Sequence, residues 1–109
     1  METDAALSIL TALAHPTRLS TFRLLVQHEP DGLSTGQLVE VSGLSQSTFS
    51  THLAVLVKAG LVVPEKRGRQ QIQRVSIDAL RCLMLFLAKD CCGGRADLCE
   101  PLLAELTCC

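Results

Sequence analysis

The sequence predicts a mainly α-helical fold with one small β-hairpin, an α+β class in which helices dominate. Three observations carry this expectation. Apolar residues recur at three- and four-residue intervals over most of the chain, while strand-like segments are confined to residues 61–75. Aromatic residues make up only 3% against 48% apolar residues, with no Trp or Tyr, so the core must be built mainly from Leu, Val and Ala. A length of 109 residues suits one compact domain, residues 1–109, and is short for a catalytic domain with a separate regulatory one.

The first helix is expected over residues 4–14, where Leu7, Leu10, Leu13 and Ala14 share one stripe. Pro16 suits the first turn of a second helix reaching Gln27, with Leu19, Phe22, Leu25 and Val26 on its inner face. Pro30-Asp31-Gly32 supplies a turn. Ser34 or Thr35 caps a short helix over residues 36–41, and Ser42-Gly43 closes it. Ser45 caps the next helix, residues 46–59, which stops at Gly60. Residues 61–63 and 71–75 read as strands around a basic turn, Lys66-Arg67-Gly68-Arg69. A further helix spans residues 76–90, and a last short one starts near Pro101. Its run Cys82-Leu83-Met84-Leu85-Phe86-Leu87-Ala88 is apolar on every side, so burial against a second copy of the chain is expected. Cys82, inside that run, reads as a small buried hydrophobe.

Two short helices joined by a tight Gly-containing turn form a helix-turn-helix pattern. In its second helix Phe49, Leu53, Leu56 and Val57 follow core spacing, while Gln46, Ser47, Ser50, Thr51 and Ala54 lie opposite, and Thr48 is a further candidate for DNA contact. Short hydroxyl and amide side chains let a helix sit deep in the major groove of DNA, where Gln pairs with adenine and Ser or Thr with several base edges. His52 lies between the two faces, within reach of phosphate. Arg67 and Arg69 flank Gly68 at a projecting tip, placed for phosphates or an adjacent minor groove. The net charge is -1, yet Lys58, Lys66, Arg67, Arg69 and Arg74 face one acid, Glu65, within residues 58–74. One part of the surface can therefore meet phosphate while the acidic C-terminal part stays away.

The segments Leu13-Ala14-His15-Pro16-Thr17-Arg18-Leu19, Leu44-Ser45-Gln46-Ser47-Thr48-Phe49-Ser50-Thr51-His52-Leu53 and Leu56-Val57-Lys58-Ala59-Gly60-Leu61-Val62 resemble the ArsR/SmtB family of metal-responsive repressors. The resemblance covers roughly residues 5–90. It implies a winged helix-turn-helix homodimer, held by the helices of residues 4–14 and 76–90, on a palindromic double-stranded operator. Half-sites would lie roughly 34 Å apart, one helical turn of DNA.

Five of the six cysteines fall after residue 90, a crowding that suits a thiolate or redox cluster better than a disulfide scaffold. The family's cysteine box before the reading helix is absent, since residues 33–41 hold no thiol, and residues 76–90 hold no His for the family's zinc site. What remains is Cys91, Cys92 and Cys99, separated by Gly93-Gly94, in a sensing segment of residues 90–109. It is similar to arsenic repressors with a cysteine pair at the end of the dimer helix and a third cysteine beyond. Three thiolates match the trigonal preference of As(III), with Sb(III) or methylarsenite as close substitutes, and soft sulfur selects against Mg and Ca. Cys108 and Cys109 are secondary candidates.

Two alternatives stay open. The same thiols can form a redox switch, and a basic wing can meet an acidic protein instead of DNA. A tetrahedral zinc site with Cys108 or Cys109 as fourth ligand lacks the usual paired spacing. No C-x-x-C pair occurs, and His15, His28 and His52 are not arranged with a nucleophile, so no enzyme and no organic cofactor are expected. No signal peptide or membrane-length apolar stretch is visible, which predicts a soluble cytoplasmic protein with no membrane partner.

Overall fold

The computed structural model describes residues 1–90. Its elements are α1 (Thr3–Leu13), α2 (Pro16–Gln27), β1 (Leu33–Ser34), α3 (Thr35–Ser42), α4 (Gln46–Lys58), β2 (Val62–Arg67), β3 (Gln70–Val75) and α5 (Ile77–Leu85), which continues into a π-helical turn, Phe86–Asp90. Cys91, Cys92, Cys99, Cys108, Cys109 and the helix expected near Pro101 lie outside the described residues.

Local chemistry accounts for where the helices begin. Pro16 opens α2 behind His15, whose Nδ1 accepts from the Thr17 amide at 3.1 Å. Ser34 and Gln37 form a reciprocal capping box on α3, with Ser34 Oγ accepting from Gln37 N at 3.1 Å and Gln37 Oε1 accepting from Ser34 N at 2.9 Å. Ser45 caps α4 and Ser76 caps α5, each accepting an amide at 3.3 Å. A cap of this kind contributes about 1 kcal/mol, enough to set a boundary.

The sheet is antiparallel in the order β1-β3-β2. Leu33 stands opposite Gln73, and Val62 opposite Val75. The two-residue β1 has no periodic signature in the sequence, because two residues cannot display one. β2 reaches Arg67, well past the expected end at Val63, so Lys66 and Arg67 belong to the strand and the hairpin loop contracts to Gly68-Arg69. Gly68 takes φ 61°, which the first residue of such a two-residue loop requires. The preceding turn depends on Gly32 for a different reason. At φ 74°, a Cβ there would lie 2.5 Å from the Gln73 carbonyl oxygen.

Leu25, Leu38, Phe49, Leu56, Leu61 and Val62 form the fully buried centre. Three expectations about facing need correction. The core face of α1 is Ala6, Ile9 and Ala12, whereas Leu7 and Leu10 are exposed. Small side chains let α1 approach α2 and α4, and the larger leucines are left on the outside. In α2 the buried set is Thr21, Phe22 and Leu25, with Leu19 and Val26 exposed. Cys82 is exposed and not buried, because α5 turns Leu83 fully into the core, with Ile77, Ala79 and Leu80 half-buried beside it, and leaves Cys82 on another side. Leu85 and Leu87 are 44% and 38% exposed, an outer apolar face of α5 and the turn that follows it.

Candidate nucleic-acid interface

α3 and α4 are joined through Gly43, which ends α3 at φ 70°, and Ser42, whose hydroxyl donates to Val39 O at 2.7 Å and accepts from Leu44 N at 3.1 Å. This turn aims α4 outward. Phe49, Leu53 and Leu56 anchor its inner side, and Val57 is half-buried beside them. Gln46, Ser47, Thr48, Ser50, Thr51 and Ala54 are all exposed on the opposite side. The two-faced helix expected from the spacing is thus present, with its uncharged polar side open to solvent.

The polar side chains differ in how far they are committed. Thr48 Oγ1 accepts from the Ser45 hydroxyl at 2.9 Å, and Thr51 Oγ1 donates back to Ser47 O at 3.1 Å. Among the described residues, Gln46 and Ser50 make no side-chain hydrogen bond. They are the freest groups on this face to pair with a base edge.

His52 is half-buried and engaged. Its Nδ1 lies 3.3 Å from Arg18 Nη1, and its ring stacks on His15 with centroids 4.2 Å apart. A guanidinium can only donate, so Nδ1 accepts and the neutral imidazole carries its proton on Nε2. Burial, then the neighbouring His15 and Arg18, hold His52 below its ordinary pKa.

The wing lies across a concave surface from α4, with Ser50, Ala54 and Lys58 on one wall and Pro64, Gln71 and Gln73 on the other. Thr35, the first residue of α3, ties that helix to β3, accepting from Gln73 Nε2 at 3.1 Å and donating to Gln71 O at 3.5 Å. Of the five basic residues in residues 58–74, two are tied internally. Arg67 donates to Asp31 O at 3.0 Å and pairs with Glu65 at 3.1 Å. Arg74 pairs with Glu29 and Glu65, which raises its pKa, chiefly through the Glu29 hydrogen bonds. Lys58, Lys66 and Arg69 are exposed and, among the described residues, unpaired. Lys58 thus joins Arg69 as a phosphate-facing candidate, a role its place in the last turn of α4 signals, while Arg67 is drawn back from the tip.

A family model of a helix-turn-helix domain matches residues 13–65. The protein from Streptomyces lividans named as a probable mercury resistance operon repressor is 30% identical over 106 residues, covering 97% of this chain and 76% of that one. The chain belongs to the ArsR/SmtB family of winged-helix transcriptional regulators. A solution structure from Mycobacterium bovis, Mb0332, described as a homodimeric winged helix-turn-helix DNA-binding domain and possible ArsR-family regulator, is 28% identical. It superposes with a TM-score of 0.64, covering 75% of this chain and 74% of that one. A crystal structure of a possible transcriptional regulator for arsenical resistance is 30% identical, with a TM-score of 0.65 and coverage of 90% and 95%. ArsR/SmtB proteins are DNA-binding regulators and not enzymes. Among the described residues no helix is long and apolar enough to cross a membrane.

Proposed function

We propose that the chain is an arsenic(III)-responsive repressor that holds a palindromic double-stranded operator as a homodimer and releases it when Cys91, Cys92 and Cys99 bind the ion. The observation that carries the DNA half is α4, whose open polar face rests on three buried side chains beside a wing with uncommitted cations. Gln46, Ser47, Thr48, Ser50 and Thr51 meet base edges or their flanking phosphates, and Lys58 and Arg69 meet phosphate. The exposed Leu7, Leu10, Leu85 and Leu87 supply apolar surface for a second copy, and a structural relative with the same fold is described as homodimeric.

The ion half rests on the donor set. Three thiolates suit As(III) or Sb(III), and relatives named for mercury and arsenical resistance favour a thiophilic inducer. In this reading residues 90–109 are the sensing segment of a single cytoplasmic domain, with Cys108 and Cys109 in a lesser role. α5 leaves regular α geometry at Phe86–Asp90, directly before Cys91. Gathering the thiolates there pulls on the end of a helix assigned to the dimer and shifts the two α4 helices away from their half-sites. A coupling on the order of 1–3 kcal/mol suffices, and DNA must weaken ion affinity by the same factor.

The test is fluorescence anisotropy with a duplex carrying the palindrome upstream of the chain's own gene, under reducing conditions, titrated with arsenite, zinc and peroxide. Release by arsenite, lost in Cys91→Ser, Cys92→Ser or Cys99→Ser while DNA binding is kept, supports the proposal. Release by peroxide alone replaces it with a thiol redox sensor. No binding replaces it with a protein-interaction module.

A further inference from the structure

Arg18 connects three helices. From the first turn of α2 its Nε donates to Ala12 O at 2.6 Å and its Nη2 to Thr11 O at 3.4 Å, both at the C-terminal end of α1. From the same guanidinium Nη1 reaches His52 Nδ1 at 3.3 Å on α4. The planar fork makes this possible, since three nitrogens diverge from one rigid centre. A cation at the C-terminal carbonyls of α1 is also well placed against that helix's dipole. The ring of His15, which caps α2, packs on that of His52, centroids 4.2 Å apart and planes tilted by 31°. The reading helix is therefore clamped at its middle to the end of α1, the helix that exposes Leu7 and Leu10.

We propose that Arg18 is a positioning residue for operator recognition, transmitting the placement of α1 at the subunit boundary to α4 through His52. This rests on the DNA-binding, dimeric reading given above. Arg18 itself touches no nucleic acid. In a twofold dimer the separation of the two α4 helices is set by the path from each α1 to its own α4, and this clamp is the polar part of that path. The remainder is apolar packing, with Ala6, Ile9 and Ala12 of α1 in the same core cluster as Phe49, Leu53 and Leu56 of α4.

Arg18→Lys tests the inference, because one ammonium cannot serve the α1 carbonyls and His52 together. Sedimentation is expected to match the wild type and thermal melting to fall modestly with the lost fork bonds, so affinity is read well below the transition. Operator affinity, measured on the same palindromic duplex, is expected to fall about tenfold, within the usual span of coupling between sites. The slope of log affinity against log salt should not change, since no phosphate contact is lost. His52→Ala, which leaves Arg18 on α1, should show the same loss, and the double variant no further loss. Unchanged affinity, strictly additive losses, or a slope reduced by about one, as for a direct phosphate contact, would each overturn the inference. If Arg18→Lys does not fold, His52→Ala decides by the same readouts. A wild type that does not bind the duplex brings down the DNA reading itself, whereas a bound wild type with an unaffected Arg18→Lys brings down this inference alone.

Discussion

Arg74, in the central strand of the wing, grips Glu29 beyond the end of α2 through two parallel bonds, Nε to Oε1 at 3.1 Å and Nη2 to Oε2 at 3.0 Å. The pair fastens the sheet to the helical body from the side opposite Thr35. Because bidentate geometry needs the fork and not only the charge, Arg74→Lys should lower the melting temperature nearly as much as Arg74→Ala. A double-mutant cycle with Glu29→Gln should show strong non-additivity. Equal stability of Arg74→Lys and wild type would mean that the pair acts by charge alone.

Gly32 should be the least replaceable of the glycines with positive φ. Alanine there meets both the left-handed backbone cost and a collision with the Gln73 carbonyl at 2.5 Å, so urea unfolding should show a loss of roughly 2 kcal/mol or more. Gly68→Asn is the matched control, since nothing lies within 4 Å of its would-be Cβ and Asn tolerates this conformation. It should stay within about 1 kcal/mol of wild type.

The histidine on α4 gives stability a defined acid limb. Its folded pKa lies below the ordinary 6.5, so between the two values the unfolded chain binds more protons than the folded one. The contribution is present above about 6.5 and drains away as pH falls through the folded value. In NMR titration His52 should titrate below a free imidazole, and His52→Gln should flatten the fall in stability over that window. In Arg18→Gln the His52 titration should move back toward 6.5.

Leu83 and Leu85 lie close in sequence on α5 but should respond to different assays. Leu83, 4% exposed, belongs to the core, and Leu83→Ala should cost about 2–5 kcal/mol of unfolding free energy. Leu85→Glu combined with Leu7→Glu changes two exposed positions, and sedimentation should show a folded monomer in place of a dimer. A dimer that survives both glutamates would place the contact between copies elsewhere.

Helix starts were legible because their causes are local: Pro16, Ser34, Ser45 and Ser76 each act within a few residues. The division of α4 into Phe49, Leu53 and Leu56 inside and Gln46 and Ser50 outside was legible for the same reason, since a long periodic stretch carries it. Facing in α1 was not, because apolar residues occupy both of its sides. Which stripe enters the core is decided by how closely α2 and α4 approach, a tertiary matter that favoured Ala6 and Ala12 over Leu7 and Leu10. Arg67 and Arg74 looked alike in sequence to Arg69, and only the fold brings Asp31 O, Glu29 and Glu65 to them. The Arg18 clamp was hidden likewise, as its partners lie on two other helices.

The pairing of Leu33 with Gln73 encloses both helices of the helix-turn-helix within one long chain closure. During synthesis, therefore, α3 and α4 can form their caps as soon as they emerge, but the sheet that braces them stays incomplete until β3 has left the ribosome. Contacts this distant in sequence form late and slow the folding of the unit that contains them. A nascent chain stopped before Gln70 would carry a fully written reading helix with no paired wing to hold it, so the last strand of the sheet sets the moment at which that helix is braced.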